Sequence, residues 1–201
     1  MLSVIKNGKF VNDKDYTWDS SNKTFTSHLS GLEIEFDGHN ATFKTGSYCK
    51  FKTGPSCIFV TGSDCKFKTG PGCVFVTGSD CTFETENNCT FVTWDRCNFK
   101  TASYCNFVTK AYCVFDTGSD CTFKTSEKCI FSTGTNCVVS RNDVFEVIEL
   151  SEVRKIQLNG YMVEGFKILE TRHKITIDCT KLSISEATYK DIKKLLEIDK
   201  T

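Results

Sequence analysis

Cysteine recurs at every eighth residue of this chain twelve times in succession, at Cys49, Cys57, Cys65, Cys73, Cys81, Cys89, Cys97, Cys105, Cys113, Cys121, Cys129 and Cys137. Phenylalanine keeps the same step from Phe43 to Phe131 and threonine from Thr45 to Thr133, also twelve times each. The unit is the octapeptide C-x-F-x-T-G-x-x, as in CIFVTGSD at 57–64. A fixed short period marks stacked supersecondary units, each of which buries its apolar face only against its neighbours. The repeat therefore demands an elongated stack of coils.

Counting Cys as position 1, Phe falls on position 3 and Thr on position 5. That is the parity of a pleated strand with one shared face. Positions 6 to 8, often Gly-Ser-Asp or Gly-Pro-x, are turn formers. Gly46, Gly54, Gly62, Gly70, Gly78, Gly118 and Gly134 occupy position 6, but Glu86, Trp94, Ala102, Lys110 and Ser126 stand there too. The pattern predicts no strict need for positive φ at that corner.

Eight residues cannot encircle a row of Phe, and the variable positions point to two octads per coil. At position 4, Val60, Val76, Val92 and Val108 alternate with Lys52, Lys68, Glu84, Lys100 and Asp116; Pro55 and Pro71 are also two octads apart. The sequence thus predicts a mainly β chain: a two-sheet parallel β-solenoid with 16-residue coils. The sheets should face each other across about 10 Å, with a step of about 4.8 Å per coil. Residues 41–144 hold 13 octads, or about 31 Å of solenoid at that step. Its structural core includes Cys57, Phe59, Thr61, Cys73, Phe75, Thr77, Cys89, Phe91, Thr93, Cys105, Phe107 and Thr109.

The thiols read as small buried hydrophobes. In-register Cβ atoms one strand spacing apart are too distant for disulfides, whose Cβ separation is about 3.8 Å. No C-x-x-C or Cys/His cluster supplies a metal site, and no cofactor is expected.

Both ends of a solenoid need caps. Residues 1–40 read as an N-terminal β cap opening on a hairpin at Asn7-Gly8. Residues 145–201 read as a small α+β domain. It would carry a strand in FEVIEL, in which Phe145 stands in the Cys phase, a hairpin at Asn159-Gly160 and a strand in HKITIDCT. A helix should follow from the capping box Ser183-x-x-Glu186 to about Asp199, with Tyr189, Ile192, Leu195 and Leu196 on its inner face.

The 201 residues carry 25 basic and 25 acidic side chains, spread evenly along the chain. Lys50, Lys52, Lys66 and Lys68 should cluster on the outside of one sheet, a candidate contact for a glycan or polyanion, although a solvated, aggregation-resisting face explains them better. The other sheet should carry Ile58, Val60, Val74, Val76, Val92 and Val108 outward, an apolar stripe either covered by a terminal segment or open to a protein partner or self-association. Trp94, Tyr48, Tyr104 and Tyr112 fall at corners. No catalytic residue is assigned: His28 and His39 lack neighbouring nucleophiles, and His173 with Asp178 and Cys179 forms the one conceivable constellation. Neither a signal peptide nor a membrane span is legible, so the expected place is a reducing compartment such as the cytosol.

The runs ATFKTGSYCKFKTG and CTFKTSEKCIFSTG resemble the octapeptide-repeat β-solenoid proteins of phages and large viruses, over residues 41–144. The resemblance implies a non-enzymatic structural or adhesive role, and location in a virion or infected cell. The octads are distantly similar to the trimeric, membrane-piercing β-helix of phage tail spikes, but that family's Val-x-Gly pattern is absent here. Insect antifreeze solenoids share Cys and Thr repeats, but their ice face needs outward Thr.

Overall fold

The computed structural model describes residues 1–151, 155–169, 173–177 and 180–184, the last two segments as backbone only. Every regular element among these residues is a strand. Residues 1–167 form one unit, and 168–201 a second that contains the antiparallel hairpin His173–Ile177 and Thr180–Ile184.

The first unit is a two-sheet solenoid of about seven 16-residue coils. One sheet stacks Lys50–Thr53, Lys66–Thr69, Thr82–Glu84, Asn98–Lys100, Val114–Asp116 and Ile130–Ser132. The other stacks Thr42–Lys44, Ile58–Val60, Val74–Val76, Thr90–Val92, Asn106–Val108 and Thr122–Thr125. Neighbours in each ladder are parallel and offset by two octads, so Phe59 lies beside Phe75 and Phe67 beside Phe83.

Register makes each Phe row a column of stacked rings. Phe75 and Phe91 are 4.8 Å apart and 3° from parallel, and Phe83 and Phe99 match them. Across the sheets the columns meet edge to face, as in Phe75 against Phe83 at 5.2 Å and 75°. Aromatic rings favour such edge-to-face contacts, and here every central ring makes them while also stacking within its column.

The corners hold two features that the octad pattern does not display. First, the chain does turn through positive φ, but at position 8: φ lies between 56° and 61° at Tyr48, Ser56, Asp64, Asp80, Asn88, Arg96, Tyr104, Tyr112, Asp120, Lys128 and Asn136, and at 70° at Gly72. Asp, Asn and Gly tolerate this region, whereas Tyr, Arg and Lys are held there by coil-to-coil bonds such as Tyr48 N–H to Ser63 C=O at 2.9 Å. Second, position 6 favours Gly for space. A Cβ at Gly62, Gly78, Gly118 or Gly134 would collide with the seryl Oγ of the coil before. Those hydroxyls are engaged: Ser63 N–H donates to Ser47 Oγ and Ser79 N–H to Ser63 Oγ, both at 3.1 Å.

Both ends finish by reversing strand direction. At the start, Leu2–Lys6 pairs antiparallel with Glu33–Phe36 and forms a hairpin with Lys9–Phe10, while Thr17–Asp19 closes the other sheet against Thr24–Thr26. At the far end, Val147–Leu150 and Lys155–Leu158 run antiparallel to Cys137–Arg141 and Ile130–Ser132. Short reversed strands bring the parallel stack to an end at each sheet edge.

Two expectations for the C-terminal residues are corrected. Phe145 sits exposed just after the turn at 142–144, with φ of 54° and outside the Cys column, because the octad register is lost after Arg141. Ser183 lies within a strand, so it caps no helix; residues 185–199, to which the sequence assigns that helix, lie outside the described residues.

Phe75 is fully buried and contacts rings above, below and opposite. Phe75→Ala should destabilise the fold by about 3–5 kcal/mol, since backbone ladders on both sides resist collapse into the cavity. Denaturant unfolding of the two proteins checks this.

Candidate functional site

The repeat thiols line the interior. All twelve are free, and each is at most 1% exposed. Each Sγ sits against corner carbonyls, as when Cys65 donates to Ser63 C=O at 3.4 Å and Cys97 to Gly78 C=O of the coil before at 3.6 Å. Cys113 is pushed up to about 12 by its hydrogen bond to Cys129 and by burial. Cys49, in the same stack, is held down at about 6 by its hydrogen bond to Cys65, so it is burial, not protonation, that withholds these thiols from reagents in solvent. The Phe column residues are buried alongside, and most of the Thr hydroxyls cap the adjoining corner, as Thr77 does by donating to Gly78 C=O at 3.3 Å, while those of Thr85, Thr93 and Thr133 are buried without a partner. Thr61 is only half-buried.

The four lysines do share one outer face, with Lys50 beside Lys66 and Lys52 beside Lys68. Carboxylates flank that cluster. Lys50 pairs with Glu33 at 2.7 Å, Lys52 with Glu35 at 3.5 Å and Lys68 with Glu84 at 3.4 Å. Exposed pairs of this kind add little stability, but they cancel most of the positive field that an anionic polymer would need.

On the opposite face Val60, Val76, Val92 and Val108 form one continuous ladder, each 42–44% exposed, with Ile58 and Val74 beside it. The ladder runs into an open groove lined by Val108, Lys124, Ser140, Phe145 and Val147.

The corner aromatics are separated around the stack. Tyr104 belongs to one corner, and Tyr48, Trp94 and Tyr112 to the other, in different coils; the Lys110 ammonium lies 3.8 Å from the centre of the Trp94 ring. Close by, Arg96 makes a two-pronged contact with Asp80, at 2.8 and 2.7 Å. The guanidinium holds the Asp80 carboxyl below the usual carboxylate range. His28 and His39 are exposed on the N-terminal cap. His173 lies on a strand of the second unit, and Asp178 and Cys179 are outside the described residues.

A buried ionic cluster at the C-terminal cap escapes a reading of the sequence alone. Arg141, 2% exposed, occupies the phase of the inward Thr. Its guanidinium donates to both Asp143 carboxylate oxygens, at 3.2 and 2.5 Å, and to Val163 C=O at 2.7 Å. Burial pushes the Asp143 carboxyl up, and the Arg141 hydrogen bond and charge, together with backbone N–H donors, outweigh this and leave it below its ordinary value. Glu146 accepts from Gly165 N–H. The cluster holds residues 159–165 against the turn at 142–146, so the chain after Leu158 makes a long loop in place of a tight Asn-Gly turn. The legible signal is an Arg at a Thr position with Asp143 and Glu146 close behind it. An inward charge requires partners.

These features define a single-chain β-solenoid with a sealed aromatic interior and three distinct outer surfaces. No protein-family model, curated protein or solved structure matches the chain. Among the described residues, no helix is long and apolar enough to cross a membrane.

The burial of the thiols has a direct chemical consequence. Under native conditions none of the twelve repeat cysteines should react with a thiol-specific chromogenic disulfide, and all should react after denaturation; peptide mapping of the labelled sites checks this.

Proposed function

We propose that this chain is a non-enzymatic structural or adhesive solenoid of a phage or large-virus particle. It acts as a stiff rod that holds attachment surfaces at fixed spacing. The observation that carries this reading is the unbroken run of interlocked Phe rings from Phe43 to Phe131. Such a core fills the interior and resists bending, because every ring is braced along and across the stack. The residues repeated most faithfully are consumed by that packing. What varies is outside, where the Val ladder offers an apolar surface of a kind that monomers seldom leave bare. In this reading it seats a neighbouring protein of the particle. The octad resemblance supports the viral setting.

The intertwined, membrane-piercing spike is a weaker reading, since each coil here is closed by one chain's own two sheets. A polyanion-binding role through Lys50, Lys52, Lys66 and Lys68 is weakened by their flanking carboxylates.

Quantitative immunodetection in particles purified from the source tests the proposal. A fixed number of copies per particle, retained through a salt wash, is the expected result. Presence only in the soluble fraction of the producing cells would contradict it.

A further inference from the structure

One corner departs from the rule that governs its neighbours. Position 6 of this corner runs Gly46, Gly62, Gly78 and then Trp94, Lys110 and Ser126, so Trp94 is the first side chain to follow three glycines that abut a seryl hydroxyl of the preceding coil. The substitution disturbs the local bonding. Ser47 and Ser63 each accept the amide of the next coil's position 7, but Ser79 receives no such bond from Asp95 among the described hydrogen bonds. The hydroxyl of Thr93 is buried without a partner, as are those of Thr85 and Thr133, whereas Thr45, Thr61 and Thr77 of the same corner each bond to the following carbonyl at 3.3 Å. In return the chain places an indole 55% exposed to solvent. A large aromatic ring left half in solvent, with an ammonium on one face, is suited to stacking against a ligand.

The surroundings suit one ligand class. Lys110 lies over the indole, while the coil before it offers only Gly78 at the equivalent position, and Gly62 and Gly46 before that. The result is a terrace without position-6 side chains, ending at an aromatic wall. Beside it the Asp80–Arg96 pair presents fixed, planar donors and acceptors, with Asp64 one coil earlier. Local charge is three carboxylates, Asp64, Asp80 and Asp95, against Arg96 and Lys110, which disfavours an anionic polymer. The corner offers Gly, Ser and Asp on the preceding coils and Lys110 and Tyr112 on the following one, a more polar surround than the centre of a protein contact.

We propose that the Trp94 corner is a binding site for a neutral glycan. The C–H face of a pyranose would stack on the indole, its hydroxyls would bond to Asp80 and Arg96, and the chain would lie along the Gly78–Gly62 terrace. The coil step of about 4.8 Å is close to the length of one sugar residue in an extended chain. This site does not depend on the particle role.

Calorimetric titration with maltohexaose, cellohexaose and chitohexaose, with a heparin hexasaccharide as the anionic control, tests the site. At least one neutral hexasaccharide should bind. Trp94→Gly, which restores the residue of the three preceding coils, should weaken that binding at least tenfold and melt no lower than the parent. Arg96→Ala, which keeps the indole, should weaken it at least threefold without moving the melting temperature. Binding to none of the neutral sugars, binding confined to heparin, or unchanged affinity in Trp94→Gly would overturn the assignment. A clear fall in the melting temperature of Trp94→Gly would also overturn it, since Trp94 would then be a packing residue.

Discussion

The stacking distance of aromatic rings and the spacing of hydrogen-bonded parallel strands are nearly the same length, and this structure depends on that coincidence. Parallel strands repeat at about 4.8 Å, and the central Phe rings stack at 4.8 to 5.0 Å within 11° of parallel. One translation therefore satisfies both the backbone ladder and the side-chain column. Where the coil length departs from two octads, the match degrades. Phe25 and Phe43 are separated by more than two octads, and their rings are 6.1 Å apart and tilted by 40°. Regularity in the sequence is thus a geometric requirement of the core.

The corners follow from the same translation. Each must return the chain to the opposite sheet while keeping its amides and carbonyls pointed along the stack. A left-handed residue at position 8, a hydroxyl or amide acceptor at position 7 and the lack of a side chain at position 6 meet that demand together. When position 7 changes, a substitute takes over: Asp95 accepts from Ala111 N–H and Asn87 from Ser103 N–H, both at 2.9 Å. The caps solve a different problem, because a parallel stack has no natural end. Reversed strands close it at both ends, and at the C-terminal end the buried Arg141 cluster fixes the loops that follow.

Much of this was legible in the residues. Period-two parity placed Cys, Phe and Thr inside, and the two-octad alternation of Val with Lys assigned the two outer faces. The left-handed corner was harder to read, because half of its twelve positions hold Tyr, Arg, Lys or Ser in place of Asp, Asn or Gly. The neutralising partners of Lys50 and Lys52 were hidden because Glu33 and Glu35 precede the repeats and lie out of step with the octad frame. The Arg141 cluster needed knowledge that residues 159–165 fold back onto it, which no local pattern conveys. Trp94 was visible as an exception at position 6, but its significance depended on learning that this Gly position is governed by space.

The central claim is that one chain closes its own two-sheet coil around two Phe columns. Light scattering coupled to size exclusion measures this most directly. A mass of 22.6 kDa, that of a single chain, is the result the account predicts. A mass three times as large, stable on dilution, would mean that three chains share the coils, and it would contradict both the intramolecular pairing and the reading of the Val ladder as an exposed face.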